Sequence, residues 1–235
     1  MSQKKYLLKI ETNREKLSDR SEEVDLSDKE VLDNISHLVA DIKDTLRVHD
    51  NMIALSAPQL GSKVRVFCVK FADNDIRTFV NPIITKIEGK YLSIEPCVTL
   101  DNKEFMVQRP ERILLGYQTP TGQFKSDIEF KSPVSGIIDQ MIDTLDGILF
   151  FKYEQQGIEI DDEYYKASPE EKEELHKWYK EEYLPRKLDE LKALEDDPEI
   201  KKMTDAVSFM TKLANNEISL SKVTVNKDKL PKRQK

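Results

Sequence analysis

Apolar residues recur along this chain with two periods, and the changes of period mark out its elements. Val31, Ile35, Leu38, Val39, Ile42 and Leu46 step by three and four, which predicts an amphipathic helix over residues 28–48. Ser27 with Glu30 supplies an S-x-x-E capping box at its start. The next apolar stretch, MIALSAPQLG over residues 52–61, carries Pro58 in its middle and ends on Gly61, so it is expected to be extended. Gln59 follows that proline; a buried carboxamide must find partners, so it either braces the fold or faces a pocket. Residues 64–71 read as a buried strand with Cys68 in the core, and 73–75 as a turn. Residues 79–84 form a strand that meets an edge or bulge at Asn81-Pro82, 86–93 a strand pair or loop, and 94–100 a strand with Cys97. Residues 112–119 and 123–130 are strands joined by a hairpin turn at Pro120-Thr121-Gly122. A short strand is expected at 4–10 and irregular chain at 11–26.

The helical period returns at residues 136–150. Ile138, Met141, Ile142, Leu145 and Leu149 share one face, and Gln140 and Thr144, four apart, form a stripe beside it. Further on, Ser168-Pro169-Glu170-Glu171 is a capping box that opens a helix from 169 to about 195, with Pro185 kinking or breaking it. Leu175, Trp178, Tyr179 and Tyr183 form a stripe on that helix; it either packs on the chain itself or docks a partner. Asp197-Pro198 opens a second helix, whose seam of Ile200, Met203, Val207, Met210 and Leu213 needs another surface.

Composition narrows the class. The chain has 235 residues, 38% hydrophobic and 34% charged, with a formal net charge of -7. That balance argues against the whole molecule binding nucleic acid. Residues 159–197 hold fifteen acidic and seven basic residues, whereas Lys222 to Lys235 hold six basic and one acidic. The second segment is a basic tail, with a weak contact to a phosphate backbone as one reading. Two cysteines, Cys68 and Cys97, cannot form a disulfide framework, which fits a reducing compartment. No signal peptide or membrane span is expected, and the expected setting is cytoplasmic: a host cytoplasm or virus particle if the source is viral. Plentiful lysine, asparagine and isoleucine suggest an AT-rich bacterial or viral genome. His37 and His49 read as surface or half-buried residues rather than ligands, and His176, off the stripe, as exposed.

Three stretches carry chemistry together. Met52–Gly61 reads MIALSAPQLG, Glu95–Thr99 reads EPCVT, and Asp139–Phe150 reads DQMIDTLDGILF. In order and spacing they resemble the peptide deformylase motifs G-x-G-L-A-A-P-Q-x-G, E-G-C-L-S and Q-H-E-x-D-H-L-x-G-x-L-F. The resemblance covers about residues 28–153. It implies an α+β fold of mixed antiparallel sheets wrapped around a central helix, with a C-terminal helical extension added here. It also implies a metal-dependent enzyme that removes the formyl group from the N-terminal methionine of nascent proteins. In that family a cysteine and two histidines hold the metal, a glutamate is the base, and a glutamine with the backbone after the cysteine polarises the formyl carbonyl.

Carried over, Cys97 and Gln59 keep their positions, Val98 follows the cysteine, and Glu95 and Arg109 match a structural pair. The histidine slots hold Gln140 and Thr144, and the glutamate slot holds Met141. A carboxamide and a hydroxyl are poor zinc ligands, and a thioether is no general base. Met52 and Ala54 replace glycines and Pro96 replaces a glycine beside the cysteine. Asp139 and Asp143 lie on other helix faces and do not rebuild a site. The expectation is therefore a fold kept and a catalyst lost. The chain would bind no metal or other cofactor and would not be an enzyme. Gln59, Cys97, Val98, Gln140, Met141 and Thr144 would form a vestigial site closed by ordinary packing. The chain would act as a binding or structural subunit of a larger assembly, in a virus particle or on the ribosome. Protein partners would dock on the C-terminal helices through Leu175, Trp178, Tyr179, Tyr183, Met203, Val207 and Met210. The alternatives are an active deformylase or thiol hydrolase with an altered centre, and a formyl-methionyl peptide-binding module. Domains are expected at 1–157, 158–221 and 222–235.

Overall fold

The computed structural model describes residues 7, 13, 16–97, 103–148, 156–195 and 198, with backbone only for Cys97, Leu194 and Glu195. Two units divide the chain, Met1–Lys177 and Trp178–Lys235. The first is built on one antiparallel sheet. β1 (Ala54–Ser56), β2 (Val66–Ala72), β3 (Asp75–Cys97), β4 (Lys103–Gln118) and β5 (Phe124–Lys131) follow one another across it. β6 (Ile158–Ile160) pairs with β4, Glu104 opposite Ile160. Helix α1 (Lys29–Val48) precedes the sheet and α2 (Val134–Leu145) follows β5. This is an α+β fold.

β2 explains why the sheet has two cores. Side chains alternate along a strand, so Val66 and Cys68 meet α1 while Phe67 and Val69 meet α2. α1 presents Ile35, Leu38, Val39, Ile42 and Leu46, the stripe expected from the sequence. Its cap is Asp28, whose carboxylate accepts from the N–H groups of Glu30 and Val31; Ser27 bonds Asp25 instead. On the other face Ile138, Met141 and Leu145 pack on Phe67, Phe79, Ile113 and Leu115. The Phe67 and Phe79 rings stack at 4.8 Å.

Several expected elements merge. Residues 79–84, 86–93 and 94–97 are one strand, β3, whose register slips between Val80 and Ile83 and between Ile84 and Lys86. Asn81, at φ 47, forms the first irregularity and fixes it by donating to the Val24 carbonyl and the Gln118 side chain. A bulge absorbs an extra residue without ending a strand, so the polar punctuation did not mark separate elements. β4 starts at Lys103 rather than 112. Residues 52–61 are less extended than expected: β1 is followed by a 3₁₀ turn, Pro58–Leu60, because proline suits a first helical position. The expected strand at 4–10 and residues 98–100 lie outside the described residues, Leu7 apart.

α2 ends at Leu145, short of the expected residue 150. Gly147 takes φ +71, its N–H bonding the Thr144 carbonyl while the Ile148 N–H bonds that of Asp143. That is a Schellman stop, which glycine permits without strain. The Ser21 N–H bonds the Leu145 carbonyl at 2.7 Å, and Ser18 lies so close to Gly147 that no side chain fits there.

After residue 157 the chain first adds β6 to the sheet and only then turns helical, in α3 (Asp162–Lys166) and α4 (Pro169–Trp178). The Ser168–Glu171 capping box is present in both directions. His176 is not fully exposed; its Nε2 lies 2.8 Å from the Tyr164 hydroxyl. In the second unit the expected single helix is interrupted. A π-helical turn, Tyr179–Tyr183, precedes α5 (Leu184–Glu195), in whose first turn Pro185 sits. Proline has no N–H to give to the preceding turn, and widening that turn accommodates it. Trp178 and Tyr183 lie 5.3 Å apart, Tyr179 and Tyr183 5.7 Å. Met203, Val207, Met210 and the tail 222–235 lie outside the described residues. Among the described residues no helix is long and apolar enough to cross a membrane.

Candidate functional site

A cleft of about 260 Å³ opens between α2, the inner end of β3 and the segment leading into β1. Met52, Ile53 and Ala54 line one side, Ser93, Ile94, Glu95 and Pro96 another, and Ile137, Gln140, Met141 and Thr144 the helix side, with Gln59 among them. Four residues singled out from the sequence therefore meet here: Gln59, Gln140, Met141 and Thr144. Cys97 follows Pro96 in β3, but its side chain and Val98 lie outside the described residues. A cleft remains between the described side chains, where closure by ordinary packing was expected.

The polar groups of the cleft are mostly tied to the fold. Gln59 is buried, and its Oε1 accepts from the Ser56 N–H at 2.9 Å and the Ser56 hydroxyl at 3.0 Å. A backbone N–H can only donate, so the oxygen is fixed on Ser56 and the amide end has only N–H donors to offer. Thr144 turns its hydroxyl back to the Gln140 carbonyl at 3.0 Å, one helical turn earlier. Glu95 receives a two-pronged bond from Arg109, Nε to Oε1 at 2.9 Å and Nη2 to Oε2 at 2.8 Å. Arg109 Nη1 also donates to Asp139 at 2.9 Å and to Asp143. All four side chains are buried. The sequence reading paired Glu95 with Arg109 but missed the two aspartates. Their spacing of four on α2 was the available signal, since it puts both on one stripe.

The metal implied by the family resemblance fails a fit test on these donors. Gln140 and Thr144 offer a neutral carboxamide and a hydroxyl committed to the helix, and Met141 offers a buried thioether. The nearby carboxylates are bound to Arg109. Among the described residues no group of three His, Cys, Asp or Glu is placed to hold an ion. The described donors do not fit a divalent cation. Cys68, on the far face of β2, is a core thiol 3.3 Å from the Thr78 hydroxyl, and burial pushes its pKa up to about 11.

The model of the polypeptide deformylase family matches residues 7–157. The peptide deformylase of Dictyoglomus turgidum is 32% identical over 117 residues, 50% of this chain and 74% of the relative. A probable peptide deformylase from synechococcus phage S-SSM7 superposes with a TM-score of 0.55 at 28% identity, covering 63% of this chain and 97% of that one. The Thermotoga maritima peptide deformylase superposes with a TM-score of 0.57 at 21% identity, over 64% of this chain and 97% of that one, which speaks for the fold. These relatives are named for an enzyme, and that overturns the expectation that the chain is not an enzyme. The misfit at Gln140, Met141 and Thr144 concerns one way of activating water and does not by itself make a chain inactive.

Proposed function

Because this chain belongs to the polypeptide deformylase family, we propose that its cleft binds the formyl-methionyl end of a polypeptide. The observation that carries this is the cleft itself, lined mostly by apolar side chains, with an oriented donor group at Gln59. Burying a methionine side chain between Met52, Ile137 and Met141 contributes about 2 kcal/mol. The Gln59 amide supplies the N–H that a formyl oxygen accepts. The charge pattern favours a blocked end as well. Among the described residues Glu95 is the charged side chain lining the cleft, and Arg109 holds both its oxygens. A free α-ammonium would shed water there without an uncommitted carboxylate to meet it, whereas a formamide is neutral.

Calorimetry with formyl-Met-Ala-Ser and with Met-Ala-Ser tests the proposal, and chromatography of the same mixtures reads turnover. The formylated peptide is expected to bind at least tenfold more tightly than the free one, and Gln59→Leu to reduce the difference. Equal affinity for the two peptides, or none for either, overturns it.

A part in a larger assembly is supported by Trp178, which keeps 39% of its surface exposed although Tyr179, beside it on the expected stripe, is fully buried. In this reading Trp178 is the anchor for a protein partner and the setting is cytoplasmic. Trp178→Ala in the full chain then releases a co-purifying partner and leaves peptide affinity unchanged; a partner retained by the variant sinks this part alone.

A further inference from the structure

We propose that Arg109 is the positioning residue of the cleft. By holding Glu95 on one wall and Asp139 with Asp143 on the other, it fixes the rotation of α2 that turns Gln140 and Thr144 into the opening. Successive helical residues are about 100° apart, so residues 139 and 143 form the stripe adjacent to residues 140 and 144. Whatever grips the first stripe therefore aims the second. Arg109 grips it from β4 and reaches β3 with the other edge of the same planar guanidinium. The three carboxylates around it are almost wholly screened from water, with exposures of 7% for Glu95, 8% for Asp139 and 3% for Asp143. Such groups are costly to bury, and their hydrogen bonds to one fork leave few alternative arrangements.

Close approach backs up the grip. A Cβ at Gly136, one turn before Gln140, would run into the Tyr91 phenol and come within 3.3 Å of the Arg109 Cβ. The Tyr91 hydroxyl donates to the Pro133 carbonyl at 3.2 Å, just ahead of α2. The start of the helix thus rests on β3 and β4 with no slack, and the arginine sets its turn.

The inference rests on the proposed peptide binding, and the test separates the two. Arg109→Lys keeps a buried cation but loses the fork. Its affinity for formyl-Met-Ala-Ser is measured by calorimetry, well below its melting temperature. The ¹³C-methyl resonances of Met52 and Met141, both on the cleft wall, are recorded in the same variant without peptide. The expected result is a folded protein with affinity down tenfold or more and both methyl resonances displaced. In a Gln140→Ala/Thr144→Ala background the arginine substitution is expected to lower affinity less than in the unaltered protein but not to lose its effect, because Ile137 and Met141 stay on the same helix. A merely structural arginine lowers the melting temperature in both backgrounds and leaves affinity and resonances in place, and that outcome overturns the proposal. If the unaltered protein binds no formyl peptide, the functional proposal falls, and the methyl resonances alone decide this one. Should Arg109→Lys fail to fold, Asp139→Asn, which leaves the Glu95 pair intact, is read in the same way.

Discussion

The two faces of the sheet are built on different plans. On the α1 face the helix buries a single stripe, Ile35, Leu38, Val39, Ile42 and Leu46, and turns its polar residues to water. Its contacts in the sheet are apolar side chains and the Cys68 thiol. On the α2 face the helix buries residues all round: Ile138, Met141 and Leu145 on the sheet, Asp139 and Asp143 on Arg109, and Thr144 beside the cleft. A face that only holds a fold together can use dispersion and desolvation, which are tolerant of exchange. A face that must keep an opening of fixed shape needs directional bonds. The difference sets apart the α2 face, where the proposed peptide site lies.

The sharpest way to break this contrast is to remove the cation of the α2 face. Arg109→Leu leaves Glu95, Asp139 and Asp143 buried without their partner, and a loss of roughly 3–5 kcal/mol is expected. That is a large part of the about 5–15 kcal/mol that holds a domain folded. Thr144→Val on the neighbouring stripe removes one hydroxyl already satisfied by its own helix and is expected to change stability by about 1 kcal/mol or less. Urea titrations of both variants settle the matter. Similar midpoints would mean that the charged cluster contributes no more than an ordinary core position.

The α1 face has its own signature, in alkali. The folded chain holds the Cys68 proton to about pH 11, because burial disfavours the thiolate, against a usual value of 9.0. The folded state therefore binds the extra proton between those two values. Its contribution is fully present below pH 9 and is lost as pH rises toward 11. The shift corresponds to about 2–3 kcal/mol. Unfolding free energies from pH 8 to 11 should fall more steeply for the unaltered protein than for Cys68→Ala, which has no thiol to titrate. Parallel curves would show that water reaches this sulfur.

A third test concerns the end of α2. Gly147→Ala demands a left-handed residue with a side chain against the Ser18 backbone. About 2 kcal/mol of destabilisation is expected, visible as a lowered melting temperature. No change would mean that the segment around Ser18 gives way freely and does not anchor the helix.

Legibility followed the same division. The α1 stripe could be read off its spacing because a half-exposed helix has one apolar period. The three motifs placed the residues of the cleft because their order and linkers are specific. α2 was overrun by four or five residues, although Gly147 was in view, because Leu149 continued the period and outweighed the glycine. β3 was cut into three, after residues 84 and 93, although the irregularity expected at Asn81-Pro82 is a bulge that lets one strand continue. The aspartates on Arg109 were set aside as lying on other faces of the helix. The partner that gathers them comes from β4, thirty residues away in sequence, and no local pattern reports that. The inference that the chain lacks activity went furthest astray, because it took three altered side chains as a statement about a whole family member.

The smallest expected effect is at the start of α1, where the cap lies one residue beyond the Ser27 expected from the sequence. Ser27 followed by Glu30 matched the box pattern, yet the Asp28 carboxylate receives the N–H groups of Glu30 and Val31, at 2.8 and 3.3 Å. An aspartate at this position also meets the positive end of the helix dipole, which a serine does so only weakly. Asp28→Ala is expected to lower stability by about 1 kcal/mol, and Ser27→Ala, which loses only a bond to Asp25, by much less. Because the cap is exposed, neither substitution should alter peptide affinity in the cleft. A loss of binding in Asp28→Ala would tie the α1 face to the opening, and the separation between a holding face and a working face would no longer stand.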